Sequence, residues 1–235
     1  MAKSKAAVEA PAGFVSGVLE RARARAARRA EALRAVHPGE SPRLLGERLV
    51  RSSSFRAGLI GAATGALSII ALPVGLPAGV ALTLAGEAEL LFALLALYGV
   101  ESEGAPGQAR LYALWLGAGF ADAAKSAGLR LGANALGRAM TGSLPARLLA
   151  RLNPVLLRAI LKRLGLGFLP RALKLWPLLG APIGFALDRA ALRALGNAAL
   201  ATLDAVPVTP APERPRRSGT RTRAPVVRRR STAKR

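Results

Sequence analysis

Cysteine is absent from the chain, which excludes disulfides, thiolate nucleophiles and zinc sites closed by sulfur ligands. Histidine occurs once, as His37 ahead of Pro38 and Gly39. It reads as a turn residue, because no partner ligands cluster near it. Aromatic residues make up 4% of the 235 positions, so a core must be built from Ala, Leu, Val and Ile, which favours closely packed helices. Runs alternating β-branched and polar residues hardly occur, whereas helix formers dominate. The expected fold class is therefore all-α.

Recognisable chemistry is scarce as well. There is no P-loop, no glycine-rich dinucleotide fingerprint after a strand, no H-E-x-x-H and no nucleophile elbow. Glu87 with Glu89, and Glu101 with Glu103, stand two residues apart, a spacing that points side chains away from each other on a helix. A non-enzymatic protein with no cofactor, no metal and no small-molecule substrate is expected.

Acidic residues number 13 against 35 basic ones, for a formal net charge of +22. The excess is uneven: +7 over residues 1–56, +6 over 57–205 and +9 over 206–235. The last thirty residues, "VPVTPAPERPRRSGTRTRAPVVRRRSTAKR", have little to bury and cannot offset the entropy of ordering, which predicts a disordered Arg/Pro-rich tail. Arg216, Arg217, Arg228, Arg229 and Arg230 concentrate its charge. Such a tail can neutralise nucleic-acid phosphates, rest on an anionic leaflet, or serve solubility alone. It has no aromatic residue for base stacking.

At the other end, "GFVSGVLERARARAARRAEALRAV" places Phe14, Val18, Ala22, Ala26, Ala30 and Leu33 on one helical face and Arg21, Arg25, Arg28 and Arg29 towards the other. A basic amphipathic helix of this kind lies on a membrane or packs on its own core; the alanine-rich stripe favours the core. No apolar run precedes Arg21, so the start does not read as a signal peptide, and a cytoplasmic protein at the inner face of the cell membrane is expected. Pro38 and Gly39 then end the helix, Ser41 suits an N-cap, and Pro42 suits the first helical position. Leu44, Leu45, Leu49 and Val50 supply the stripe of a second helix.

Residues 57–86, "AGLIGAATGALSIIALPVGLPAGVALTLAG", carry no charge at all. One straight helix of that length would rise about 45 Å against a hydrocarbon core of about 30 Å. Pro73, Gly75, Leu76 and Pro77 read as the turn of a helical hairpin, since both prolines lack a donor. Gly58, Gly61 and Gly65 on the first arm, with Leu82, Ala85, Glu89, Ala93 and Ala96 on the second, suggest arm-on-arm packing through small faces. Glu87 and Glu89 would return to the interface if the prolines marked the deepest point in one leaflet; a core hairpin of a soluble bundle accommodates them equally.

The succession "HPGESPRLLGERLVR", then "GAATGALSIIALPVGLPAGVALTLAGEAELLFALLALYGVE", then "LWPLLGAPIGFALDRAALRALGNAAL" resembles the EcsC family of bacterial proteins over about residues 36–203. The family is helical and takes its name from a protein encoded beside an ABC exporter. The resemblance implies a membrane-linked accessory role and supplies no reaction, cofactor or catalytic residues.

Beyond Gly99, which suits a left-handed helix cap, the pattern from Gln108 to Met140 reads as helical. Residues 146–163 form a cationic amphipathic stretch bent at Pro154. Prolines 177 and 182 precede a last amphipathic helix. The expected organisation is a basic N-terminal helix over residues 1–35, an EcsC-like helical domain over 36–205 and the tail over 206–235. The expected function is membrane association through lipid or protein contacts, with an anionic membrane surface or a membrane protein as partner. The alternative is a soluble helical domain whose tail binds nucleic acid nonspecifically.

Overall fold

A computed structural model describes residues 2–67, 72–117, 120, 125, 135–142 and 177–205; described side chains run over residues 17–64, 82–117, 120, 125, 136–142 and 181–205. The described residues are all-α, with no strand among them. Six helices follow in order: α1 (Ala2–Val36), α2 (Pro42–Leu67), α3 (Leu72–Leu97), α4 (Gly104–Leu116), α5 (Ala135–Met140) and α6 (Pro177–Ala205). The basic tail lies outside the described residues, and so does the stretch 146–163.

The centre of the bundle is α3. Between Ala88 and Leu97 it is buried on nearly every side, Glu89 and Ala96 being the less covered positions. A helix apolar all round must be surrounded, and α1, α2, α4 and α6 all touch it. The second arm is thus not a one-sided stripe, as the small residues suggested, but the core helix itself.

Val18, Ala22, Ala26 and Ala30 of α1 are buried, and the helix they line packs on α3. The apolar stripe of α1 is therefore spent on the protein's own core. The two helices run parallel, because Arg29 meets Glu89 while Arg34, further on, donates to the carbonyls of Ala96 (2.7 Å) and Leu97 (3.0 Å). A guanidinium there satisfies carbonyls that have no partner within α3 and complements the negative end of its dipole.

The turn between α1 and α2 is built as its residues suggest. α1 stops at Val36, α2 starts at Pro42, and the Leu44 amide donates to Ser41 Oγ at 3.4 Å. Leu45, Leu49 and Val50 are buried as expected, but Leu44 is 51% exposed among the described residues.

At the end of α3 the Val100 amide reaches Leu95 O (2.9 Å) and the Gly99 amide reaches Ala96 O (3.1 Å). This is a Schellman cap, and it needs the φ of +70° that Gly99 adopts at little steric cost. The single helix expected from Gln108 onward instead ends at Leu116, where Gly117 takes a φ of +52° and its amide closes on Ala113 O.

The proline-flanked stretch also differs from expectation. Pro73, Gly75, Leu76 and Pro77 lie inside the first two turns of α3, which begins at Leu72, so they are helical and do not form the turn expected of them. The first turn of a helix has amides without intrahelical partners, so Pro73 loses nothing there, and Pro77 removes one bond near a helix end. Pro177 likewise opens α6, with Pro182 one turn further on.

Candidate functional site

Gly58 and Gly61, expected to face the second arm, face α6. A Cβ on residue 58 would stand 2.8 Å from the Phe185 ring, and one on residue 61 would collide with the Gly184 carbonyl and the Asp188 carboxylate. Gly46 likewise meets Leu200, and Gly196 of α6 meets Val50. These pairings make α2 and α6 antiparallel neighbours in close backbone approach, which small residues allow. Gly65 lies in α2 beyond its described side chains.

The bundle has two dissimilar ends. At the end holding the α1–α2 turn, Asp204 accepts from Arg43 and from Tyr98 Oη (2.6 Å), and Arg48 makes a two-pronged bond to Glu40 at 2.9 Å. Burial and the Asp204 bond together raise the Tyr98 phenol well above its ordinary range. Towards the other end, Leu59 and Ile60 of α2 and Leu82 of α3 are 51, 42 and 50% exposed. Phe55 sits edge-on to Phe185 at 5.7 Å between centroids, and the Arg189 guanidinium lies 5.7 Å from the same ring.

Between α1, α2, α3 and α6 lies a cavity of about 90 Å³. Arg29, Ser53, Arg56, Glu87, Glu89 and Asp188 supply its polar wall, and Ile60 and Leu82 are among its apolar lining. Glu89, with 14% of its side chain exposed, is its hub: Arg25 and Arg29 approach at 3.3 and 3.4 Å and Arg56 at 3.8 Å. Burial, then the charge of Arg56, pull the Arg29 guanidinium below its ordinary pKa, with Glu89 opposing. Arg29 also donates to Ser52 Oγ at 2.9 Å. It therefore turns inward, not to the outer face of α1 on which helical periodicity placed it.

Glu87 lines the same cavity as Glu89 but is held by a different helix. It accepts from the buried indole of Trp115 on α4 at 2.5 Å. A buried indole N–H needs a partner, and this bond also fixes the carboxylate. Ser53, 5% exposed, has a buried Oγ with no hydrogen-bond partner among the described residues.

Sequence reasoning missed Ser53, Arg29, Arg56 and Asp188 as one group, because three separate helices contribute them. The one local signal is "RSSSFR", where residues 53 and 56 stand three apart and so share a face. Among the described residues no group of three or more His, Asp and Glu could hold a metal ion. Among them, too, no helix is long and apolar enough to cross a membrane. Comparison of the chain with protein-family models, curated proteins and solved structures gives no match.

Proposed function

We propose that this chain is a non-enzymatic accessory protein of the EcsC type that binds an anionic membrane surface, its charge-free α2–α3 connection entering one leaflet. The observation carrying this reading is the exposure of Leu59 and Ile60 on α2 and of Leu82 on α3, all within a thirty-residue stretch without charge. Full burial of such a side chain contributes about 1.5–3 kcal/mol. Three half-exposed ones would together contribute about 3 kcal/mol, and Arg56 and Arg189 nearby would add about 1 kcal/mol each beside anionic lipid. That alone is a weak, reversible anchor, comparable to one acyl chain or less. Firm retention must then come from residues 65–81, where Ile69, Ile70, Leu72, Val74 and Leu76 concentrate apolar area.

This arrangement is consistent with an end-on insertion. Glu87 and Glu89 are tied to Trp115 and to arginines within the bundle, so neither carboxylate has to enter lipid. Flotation with vesicles of mixed phosphatidylglycerol and phosphatidylcholine tests the reading. The protein should float, and should remain bound in high salt and in carbonate. Release by salt alone would reduce the interaction to surface charge; failure to float at low salt would refute the proposal.

A further inference from the structure

We propose that the chain bridges a membrane and duplex nucleic acid, holding the phosphate backbone of the duplex with residues 206–235 at the end of the bundle opposite its apolar end. The membrane half of this inference rests on the reading above. The nucleic-acid half does not.

The polarity of the bundle carries the inference. Gly46 packs on Leu200, Val50 on Gly196 and Gly58 on Phe185, so α6 runs back along α2 and ends beside the first turn of α2. Its last turn is pinned there: Asp204 accepts from Arg43 and from Tyr98 Oη, and Leu203 is buried. The basic stretch starts directly after this turn. Along α2, Ile60 lies seventeen residues from Arg43 and Leu67 twenty-four, which at the rise of a helix is about 25 and 36 Å. The stretch therefore starts three or more Debye lengths from the end that meets lipid, one length being about 8 Å at physiological salt. The potential of a leaflet fades within one such length. A leaflet attracts the same charge when nothing orients the chain, but an inserted chain presents its basic stretch to whatever lies on the opposite side. The described acids at that exit, Glu40, Glu47 and Asp204, are already paired with Arg48 and Arg43, so the body has little there to hold further arginines.

Composition selects the partner. Nine of the ten basic residues in 206–235 are Arg, whose planar fork matches phosphate, and the Ser and Thr residues between them are phosphate donors too. The stretch has no aromatic residue, no Leu and no Ile. It thus lacks the stacking platform that single strands use and the large apolar side chains that anchor a segment in a second bilayer. Duplex DNA requires neither, and offers one charge per about 1.7 Å of its axis.

Co-flotation of a short fluorescent DNA duplex with vesicles of mixed phosphatidylglycerol and phosphatidylcholine tests the bridge. At about 50 mM salt the full chain should carry the duplex up with the vesicles. Deleting residues 206–235 should abolish that carriage while the chain itself still floats. Fluorescence anisotropy without vesicles reads the duplex half: with about six arginines on phosphates, affinity should fall about 10³-fold between about 50 and 200 mM salt. Combining Arg216→Gln, Arg217→Gln, Arg228→Gln, Arg229→Gln and Arg230→Gln should cost about a hundredfold or more at low salt, with helical circular dichroism unchanged. Release of the duplex as the anionic share of the lipid is raised would show that one leaflet takes the same arginines, and would overturn the bridge. Clumping of vesicles without uptake of the duplex would assign the stretch to a second bilayer and overturn the nucleic-acid partner, and tighter binding of single strands would overturn the duplex. A chain that floats but binds no duplex overturns this inference alone. One that binds the duplex through residues 206–235 but fails to float overturns the membrane reading and the bridge with it, and supports only the hold on DNA.

Discussion

Gly61→Ala probes the contact on which the bundle turns, the close approach of α2 to α6. In an isolated helix the change would help, since Gly is about 1 kcal/mol worse than Ala. Here the added methyl meets the Gly184 backbone carbonyl as well as the Asp188 carboxylate. A side chain can rotate away, but a helix backbone moves only by shifting the whole element. Overpacking of that kind costs about 1–3 kcal/mol and outweighs the propensity gain, leaving a net loss of about 1–2 kcal/mol. Gly58→Ala should cost less, because the Phe185 ring it meets first can tilt. Gly86→Ala is the matched control, as its methyl would find open space within 4 Å; stability there should rise by up to about 1 kcal/mol. Urea unfolding followed by circular dichroism reads all three. With a slope of about 1–3 kcal/mol/M, the Gly61→Ala midpoint should fall while that of Gly86→Ala rises. If Gly61→Ala is as stable as Gly86→Ala, α2 and α6 do not touch there and the fold described above is wrong.

Trp115→Phe keeps the ring but removes the indole donor, leaving the Glu87 carboxylate short of a partner at a part-buried position; a loss of about 1–3 kcal/mol should appear in the same assay, and an unchanged midpoint would show that the bond contributes nothing. Burial pushes the Tyr112 phenol up to about 12. The folded chain thus keeps a proton that the unfolded chain sheds near 10, so this stability is whole below pH 10 and is lost as pH rises towards 12. Its size is at most about 3 kcal/mol; Tyr112→Phe should flatten the alkaline decline, and an identical decline in the variant would contradict the assignment. Deleting residues 206–235 removes a charge of +9 and should flatten the salt dependence of binding to anionic vesicles and to DNA while leaving the helical signal of the body unchanged; a large loss of helix on deletion would contradict the three-part organisation.

Local features were legible in the sequence and the long-range ones were not. The Ser41–Pro42 helix start and the Gly99 cap follow from backbone sterics and unpaired amides within a few residues, and both stand where they were expected. The buried face of α1 follows from periodicity alone. By contrast, a small-residue face says that something approaches closely but not what: Gly58 and Gly61 lie against Phe185 and Gly184, more than 120 positions away in the chain. The prolines misled because the rule against them applies to helix interiors, and Pro73 follows Ala71 and Leu72, with no capping residue of the kind that Ser41 supplies before Pro42 to mark a helix start. The cavity was invisible for a related reason. Arg29 reads as one more surface arginine until α3 places Glu89 opposite it, and Ser53 has nothing in its neighbourhood to announce that it is buried.

The most direct test of the membrane account uses the absence of cysteine, which makes any introduced thiol unique. Leu76→Cys and Arg48→Cys, one in the first turns of α3 and the other at the opposite, ion-paired end, can each carry an environment-sensitive fluorophore. On anionic vesicles the label at 76 should shift to the blue, resist iodide and be quenched by lipids bearing a nitroxide on the acyl chain, while the label at 48 stays open to iodide. A label at 76 that remains open to iodide and untouched by acyl-chain nitroxides would place this segment outside the bilayer and contradict the account.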